Sequence, residues 1–426
     1  MTDKELFNYI ESKTKETLEI LTDLVKIPTQ VPPGDNYDEI IEFLMPFFEE
    51  LGFRVENLHL PEDVFKKKNP DLKDLCFGDR ANLHAIKKVG ADKTIVINAH
   101  LDVVPVTSNW SVPPFEGTIR NGRFYARGAS DCKSAPAALI TALTAIKELN
   151  LDLKYNLNIA LTTDEEVGPY SGLCYFADKD LLKGDYFLST DANGEDIIIG
   201  ANGNINWQIE VYGKSWHSGT GFLGVNAIEK SISIMNEMMS LKSVVEQRRS
   251  IISSSKSISE KTGITKLKPV LNITMINAGV KENIIPSICT LKGDRRIIPE
   301  ESSEDAILEI KNALERAKKS DPDLRFDYHF METYPPLHTD LNHPWIKKVQ
   351  ETAMYVKGKN IELAGIHGSL DVAYAIQITK QPVCCYGIGR ALESNVHGED
   401  ENIRINDLVN YTKFLGKLLC KDDHTL

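Results

Sequence analysis

Residues 94–99 read TIVINA, residues 134–149 read SAPAALITALTAIKEL, and residues 156–162 read NLNIALT. The first and third stretches are too short for helices, are rich in apolar and β-branched residues, and have no polar face. They read as strands buried on both sides. The stretch between them is an alanine-rich helix, with Pro136 tolerated in its first turn. Strand, helix and strand in this order make a parallel crossover unit. Residues 186–190 and 382–386 carry similar short apolar runs. Upstream, Leu6, Phe7, Ile10, Leu18, Leu21, Leu24 and Val25 fall near helical spacing, so a helix is predicted over 5–27, ended by Pro28. A second helix is predicted over 37–51. The fold class is therefore α/β, a mostly parallel sheet with helices on both faces.

The pattern changes near residue 203. From there the order is strand (207–212), helix (224–241), strand (271–277), strand (289–297), helix (303–318), strand (324–331). This β-α-β-β-α-β succession is ferredoxin-like. SIISSSKSISEKTG (250–263) reads as a loop within the unit, and YPPL (334–337) breaks the pattern before helix and strand material returns. The chain thus parses into a body, residues 1–202 and 333–426, interrupted by an α+β unit, residues 203–332.

The chain's 426 residues would make two to three domains at about 150 residues each. Lys and Arg number 49 against 61 Asp and Glu, a formal charge of −12. With no long basic run, no nucleic-acid partner is expected. Seven cysteines, an odd count without a C-x-x-C pair, imply reduced thiols and a cytoplasmic protein. The charged start, MTDKELFNYI, lacks a signal peptide's apolar core. No stretch reaches the roughly 18 consecutive apolar residues of a membrane span, so no membrane partner is expected.

Histidine and acidic residues sit where the predicted strands end. His100 and Asp102 follow TIVINA, and Asp131 follows RFYARG and precedes the alanine-rich helix. Glu165 and Glu166 follow NIALTTD, Asp191 follows YFLST, and His397 lies about ten residues past PVCCYGIG. Ligands of open α/β sheets gather at the carboxyl ends of the strands. Imidazole and carboxylate together suit zinc and similar divalent ions. Singly, each residue has an ordinary reading: a packed histidine, a solvated Glu-Glu turn, an N-cap at Asp131. Their conjunction at five strand ends is what points to a metal site.

The strings HLDVVP (100–105), YARGASDCKSAPAAL (125–139), TTDEEVG (162–168), STDAN (189–193) and VHGEDENI (396–403) resemble the di-zinc aminoacylase and carboxypeptidase family of metallopeptidases. Its members include acetylornithine deacetylase, succinyl-diaminopimelate desuccinylase, glutamate carboxypeptidase and several dipeptidases. The resemblance runs from about residue 5 to 420 and implies an inserted ferredoxin-like lid. It makes Asp131 the carboxylate shared by two metal ions, with His100 and Asp191 completing one site and Glu166 and His397 the other. Zinc is the implied metal, with cobalt or manganese as substitutes. Asp102 would orient His100, and Glu165 would be the general base.

In the lid, the resemblance extends to His217 in GKSWHSG (213–219), Asn283 in KENIIP (281–286) and Arg296 in DRRIIP (294–299), which would hold the scissile oxygen and the substrate carboxylate. Gly368 and Ser369 in GIHGSLD (365–371) would offer backbone contacts, with His367 unassigned. It further implies a cis bond after Asp131 and a homodimer formed through the lid, with His217 reaching the partner's metals. The implied substrate is an N-acyl amino acid or short peptide. Deacylation is the first reading, and a dipeptidase or carboxypeptidase the alternative, which Asp191 in place of Glu favours slightly. An inactive binding relative would lack a ligand, whereas all five ligands and the base are present. Cys132 departs from many relatives and reads as a small filler residue. His59, His84, His329, His338, His343 and His424 read as structural or surface histidines.

Overall fold

The computed structural model describes residues 3–421; His424 lies outside them. Four parallel strands lie side by side in the order Asn156–Thr162, Thr94–His100, Tyr186–Ser189, Val383–Cys385. From Ile95 onward every residue of the Thr94–His100 strand is buried, as an unbroken apolar run requires. Antiparallel strands extend this core on both sides, giving nine strands in all. Arg54–Leu60 and Arg80–Lys87 flank one side; Ile197–Ala201 and Leu337–His338 flank the other. Leu363–Ile366 runs parallel to Ile197–Ala201.

The Ser134–Glu148 helix is buried almost all round. Its alanines let the Thr14–Lys26 and Ile405–Leu419 helices pack close against it. The single helix expected over 5–27 is two, Asp3–Ser12 and Thr14–Lys26, broken at Lys13. The Ser12 and Thr14 hydroxyls donate to the carbonyls of Tyr9 and Glu11. Such local bonds compete with the helical ladder, and spacing of apolar residues does not register them.

Residues 203–334 build a second, four-stranded antiparallel sheet in the order Val270–Ala278, Ile288–Ile297, Gly203–Tyr212, Arg325–Tyr334. In chain order this is 2-3-1-4, the ferredoxin-like arrangement. The Ala227–Val245 and Ser303–Ser320 helices pack on it through Ile234, Met238, Ile310 and Leu314, against Trp207, Ile209, Leu271 and Leu291. The 250–263 stretch is not a plain loop. It contains a short helix, Lys256–Thr262, and bridges to the large sheet at Ser254 and Gly365. Ile252 and Leu267 are buried there with Ile298, and Lys256 N–H donates to the buried Asp196 carboxylate. Ile252, beside serines, and Leu267, between two lysines, hold this excursion, too few buried apolar residues to make a periodic signal.

Candidate metal centre

His100 ends its strand, and the parallel neighbour Asn156–Thr162 delivers the next turn beside it. Asp164 takes a left-handed conformation (φ 69°) there. Its buried carboxylate receives Arg80 Nε and Nη2 at 2.9 and 2.7 Å, and the Tyr37 hydroxyl at 2.9 Å. The turn so fixed carries Glu165 and Glu166, whose backbone N–H groups donate to the Asp102 carboxylate at 3.3 and 3.0 Å. His100 Nδ1 donates to the Asp102 carbonyl at 3.1 Å, with the Asp102 carboxylate at 3.6 Å. That bond leaves the Nε2 lone pair facing outward.

Asp131 lies in an irregular turn, Ala129–Lys133, with non-helical backbone angles, and the Asp131–Cys132 peptide is cis. Glu401 secures this turn. Its carboxylate accepts the N–H groups of Gly128 (3.0 Å), Ser130 (2.8 Å) and Asp131 (3.1 Å), and pairs with Arg127 at 2.7 Å. Arg127 also donates to the carbonyls of His397 and Gly398. One buried ion pair thus joins the Asp131 turn to the segment presenting His397.

The two oxygens of Asp131 face different histidines. Oδ1 is 2.7 Å from His100 Nε2, and Oδ2 is 3.3 Å from His397 Nε2. His397 Nε2 is also 2.9 Å from Glu166 Oε2. Donor atoms of Asp131, Glu166 and His397 fall within 4.8 Å of one another, as do those of His100, Glu165 and Asp191. Asp191 follows the Tyr186–Ser189 strand, with its N–H on Ser189 Oγ.

Burial and like charge dominate the electrostatics. Burial, then Asp191 and Asp371, pushes the Glu165 carboxyl well above its ordinary value. Burial, then Asp131, pushes Glu166 and Asp191 each up to about 7. Hydrogen bonds to Asp131 and Glu166 raise His397 to about 10. Against its burial, His100 and His397 hold Asp131 below the usual carboxylate range. An imidazole lone pair 2.7 Å from a carboxylate oxygen needs a cation or a proton between them. Crowded carboxylates are likewise relieved by positive charge. The donor set fits two divalent ions, with nitrogen and oxygen ligands on each side of Asp131.

Cys132 is buried beside this cluster. Its thiol donates to the His100 carbonyl at 3.3 Å, and burial pushes it up to about 11.

The other residues singled out by sequence lie in two further places. Arg296 donates from Nη1 to the Ser369 hydroxyl at 3.2 Å and from Nε to Asp294 at 2.9 Å. Gly368 neighbours this pair, where a Cβ would meet Ile366 at ordinary van der Waals distance, and His367 is half-buried with Nε2 unpartnered. His217 ends the strand Trp216–His217 and Asn283 immediately precedes its partner Ile284–Ile285, both residues exposed. Among the described residues neither bonds to the acidic cluster. Sequence reading missed Glu401, Asp371 and the Arg80–Asp164 pair. Glu401 stands four residues past His397 and Asp371 two past Ser369, so both were within view. Arg80 had no local signal.

The family model described as peptidase family M20/M25/M40 matches residues 96–421. Among curated proteins, the chain is 27% identical over 425 residues to an uncharacterised metallohydrolase of Methanocaldococcus jannaschii, covering 95% of this chain and 99% of the relative. It is 24% identical over 416 residues to a probable succinyl-diaminopimelate desuccinylase of Staphylococcus aureus, covering 93% and 95%. Its fold is that of an M20 family metallo-carboxypeptidase from Sulfolobus solfataricus, at TM-score 0.74 and 21% identity, covering 95% and 98%. The match spans most of the chain and includes every residue of the acidic and histidine cluster, so this protein belongs to peptidase family M20/M25/M40 and is a hydrolytic metalloenzyme.

Proposed function

We propose that this chain hydrolyses the amide bond of an N-acyl amino acid, using two divalent ions, zinc foremost. His100, Asp131 and Asp191 hold one ion, and Asp131, Glu166 and His397 the other. The observation that carries this reading is Asp131, whose two oxygens face His100 and His397 separately. When bound, the ions supply Lewis-acid polarisation of the carbonyl and lower the pKa of water.

Glu165 is the general base. It shares the hollow with Asp191 and Asp371, and its raised proton affinity suits it to take a proton during attack and return it to the leaving amine. Asp102 orients the turn that carries Glu165 and, through its carbonyl, the ring of His100. Arg296 offers a planar fork to the substrate carboxylate, with Gly368 and Ser369 beside it. The desuccinylase relative supports an acylated amino acid as substrate. A dipeptidase or carboxypeptidase is the second reading, favoured by Asp191 in place of Glu, and Arg296 would serve it equally.

Residues 203–332 form the lid on a body of residues 1–202 and 333–426, and the lid pairs two chains. Supporting this, the edge strand Val270–Ala278 exposes Met275 and Ile276, and the Ala227–Val245 helix exposes Ile228, Ile232 and Met239. Apolar surface of this kind fits a second copy. In the dimer, His217 reaches the partner's metal site, and Asn283, beside it in the lid, contacts substrate. Seven buried cysteines with no disulfide among them fit a reducing compartment, the cytoplasm. No helix among the described residues is long and apolar enough to cross a membrane.

The test is a panel of N-acetyl, N-formyl and N-succinyl amino acids beside dipeptides, assayed after metal stripping and after adding back Zn²⁺, Co²⁺ or Mn²⁺. Hydrolysis of acylated amino acids only with metal is expected. Full activity in stripped protein overturns the mechanism, and turnover of dipeptides alone replaces deacylation with the second reading.

A further inference from the structure

Tyr334 is the last residue of the Arg325–Tyr334 strand, where the chain leaves the small sheet and passes through Pro335 and Pro336 to the large one. Its side chain is 4% exposed. The hydroxyl is sealed from solvent and has no hydrogen-bond partner. Buried phenols normally find one, because an unmet buried donor is destabilising.

The hydroxyl abuts the turn that carries the base. A Cβ on Gly168 would fall 2.3 Å from it, so only glycine fits three residues past Glu165. Burial first, then Cys174, Asp371, Glu165 and Asp102, pushes the phenol well above its ordinary value. It therefore keeps its proton and is available as a donor.

The acceptors around it are not equal. The Asp102 carboxylate already receives two backbone N–H groups. Asp371 receives the Ser171 hydroxyl at 2.6 Å, and that hydroxyl lies 3.6 Å from the Cys174 sulfur. Among the described residues, no hydrogen bond holds the Glu165 carboxylate; the bond at Glu165 comes from its backbone N–H. A sealed, unpaired donor thus abuts the turn that carries Glu165, whose half-buried carboxylate is the acceptor there with no hydrogen bond among the described residues.

We propose that the Tyr334 hydroxyl donates to the Glu165 carboxylate when substrate is bound and orients it for proton transfer. Tyr334 is then a positioning residue, and it rests on the reading of Glu165 as the base. Because Tyr334 belongs to a strand of the small sheet, the orientation of the base is tied to where that sheet sits on the body.

The test compares Tyr334→Phe with the unaltered, metal-loaded chain on the N-acyl amino acid or dipeptide panel. Loss of an orienting partner typically lowers activity about 10–100-fold. That fall is expected in kcat, with KM and metal content unchanged. Thermal stability should hold or rise, since the change deletes a hydroxyl that is unpaired in the resting protein. In a Glu165→Asp background, whose carboxylate is drawn back by one methylene, Tyr334→Phe should cost little more. An unchanged kcat in Tyr334→Phe, with Glu165→Ala inactive, overturns the role of Tyr334 alone. An active Glu165→Ala overturns the reading beneath it. Equal losses in the unaltered and Glu165→Asp backgrounds, or a lowered Tm, would place the hydroxyl's partner elsewhere and also overturn the proposal.

Discussion

Replacing Glu401 with alanine should loosen the metal centre from behind. Glu401 is fully buried, and its partner Arg127 is 1% exposed. Removing one member of a buried pair strands the other charge, at about 3–5 kcal/mol. The N–H groups of Gly128, Ser130 and Asp131 lose their acceptor as well, and each unsatisfied buried donor costs about 1–3 kcal/mol. The carbonyls of His397 and Gly398 still hold the guanidinium in part, and water can enter the vacated space. These offsets leave a net loss of about 5 kcal/mol, a large share of the roughly 5–15 kcal/mol that native proteins possess. Glu401→Gln keeps the volume but loses the charge. It turns an NH₂ toward groups that are themselves donors, and about 3 kcal/mol should go. The assay is urea unfolding followed by tryptophan fluorescence, with chelator present so that metal binding does not mask the change. Metal stoichiometry measured in parallel should fall, because Asp131 would no longer be held in place. A loss below about 1 kcal/mol for Glu401→Ala, within the range of ordinary substitutions, would refute this account of the anchor.

Four other outcomes follow from the site and its surroundings. Glu165→Ala should abolish hydrolysis while metal content stays at about two ions per chain; Asp131→Ala should lower the metal content itself, and normal stoichiometry there would contradict the shared ligand. Arg296→Lys should raise KM far more for substrates with a free α-carboxylate than for their amides, since lysine lacks the bidentate fork; equal effects would remove Arg296 from carboxylate recognition. If His217 acts across a dimer, mixing inactive His217→Ala and Glu165→Ala chains under conditions of shown subunit exchange should restore about a quarter of wild-type activity: half the dimers are mixed, each with one intact site of two. No recovery would confine His217 to its own chain. His84, packed on Phe176 and bonded to Asn158, is held by burial below the ordinary imidazole value. The unfolded chain takes that proton first, so this stability is complete above about pH 6.5 and is lost as pH falls through the depressed folded value. His84→Gln should flatten the acid side of the stability curve, and an unaltered slope would refute the assignment.

The amino-acid order by itself determined the parallel core, the alanine-rich helix and the ferredoxin-like unit. Each of these is written in local spacing: apolar runs of about seven residues, a 3.6-residue period, alternation along strands. It also offered candidate metal ligands, because His100, Asp131, Glu165, Glu166 and Asp191 stand just past strand ends or before a helix start that the same spacing reveals, with His397 about ten residues past another apolar run. Tertiary structure alone decided how those residues are held. Arg80 and Asp164 are 84 positions apart, and Glu401 reaches 270 positions back to Asp131. A buried charge is tolerated only where its partner arrives, and nothing in the neighbourhood of either residue states where that is. The break at Lys13, the return of Ile252 and Leu267 to the large sheet, and the placing of Tyr334 against Gly168 are of the same kind. Each depends on one or two contacts between distant segments, which carry no period for the sequence to display.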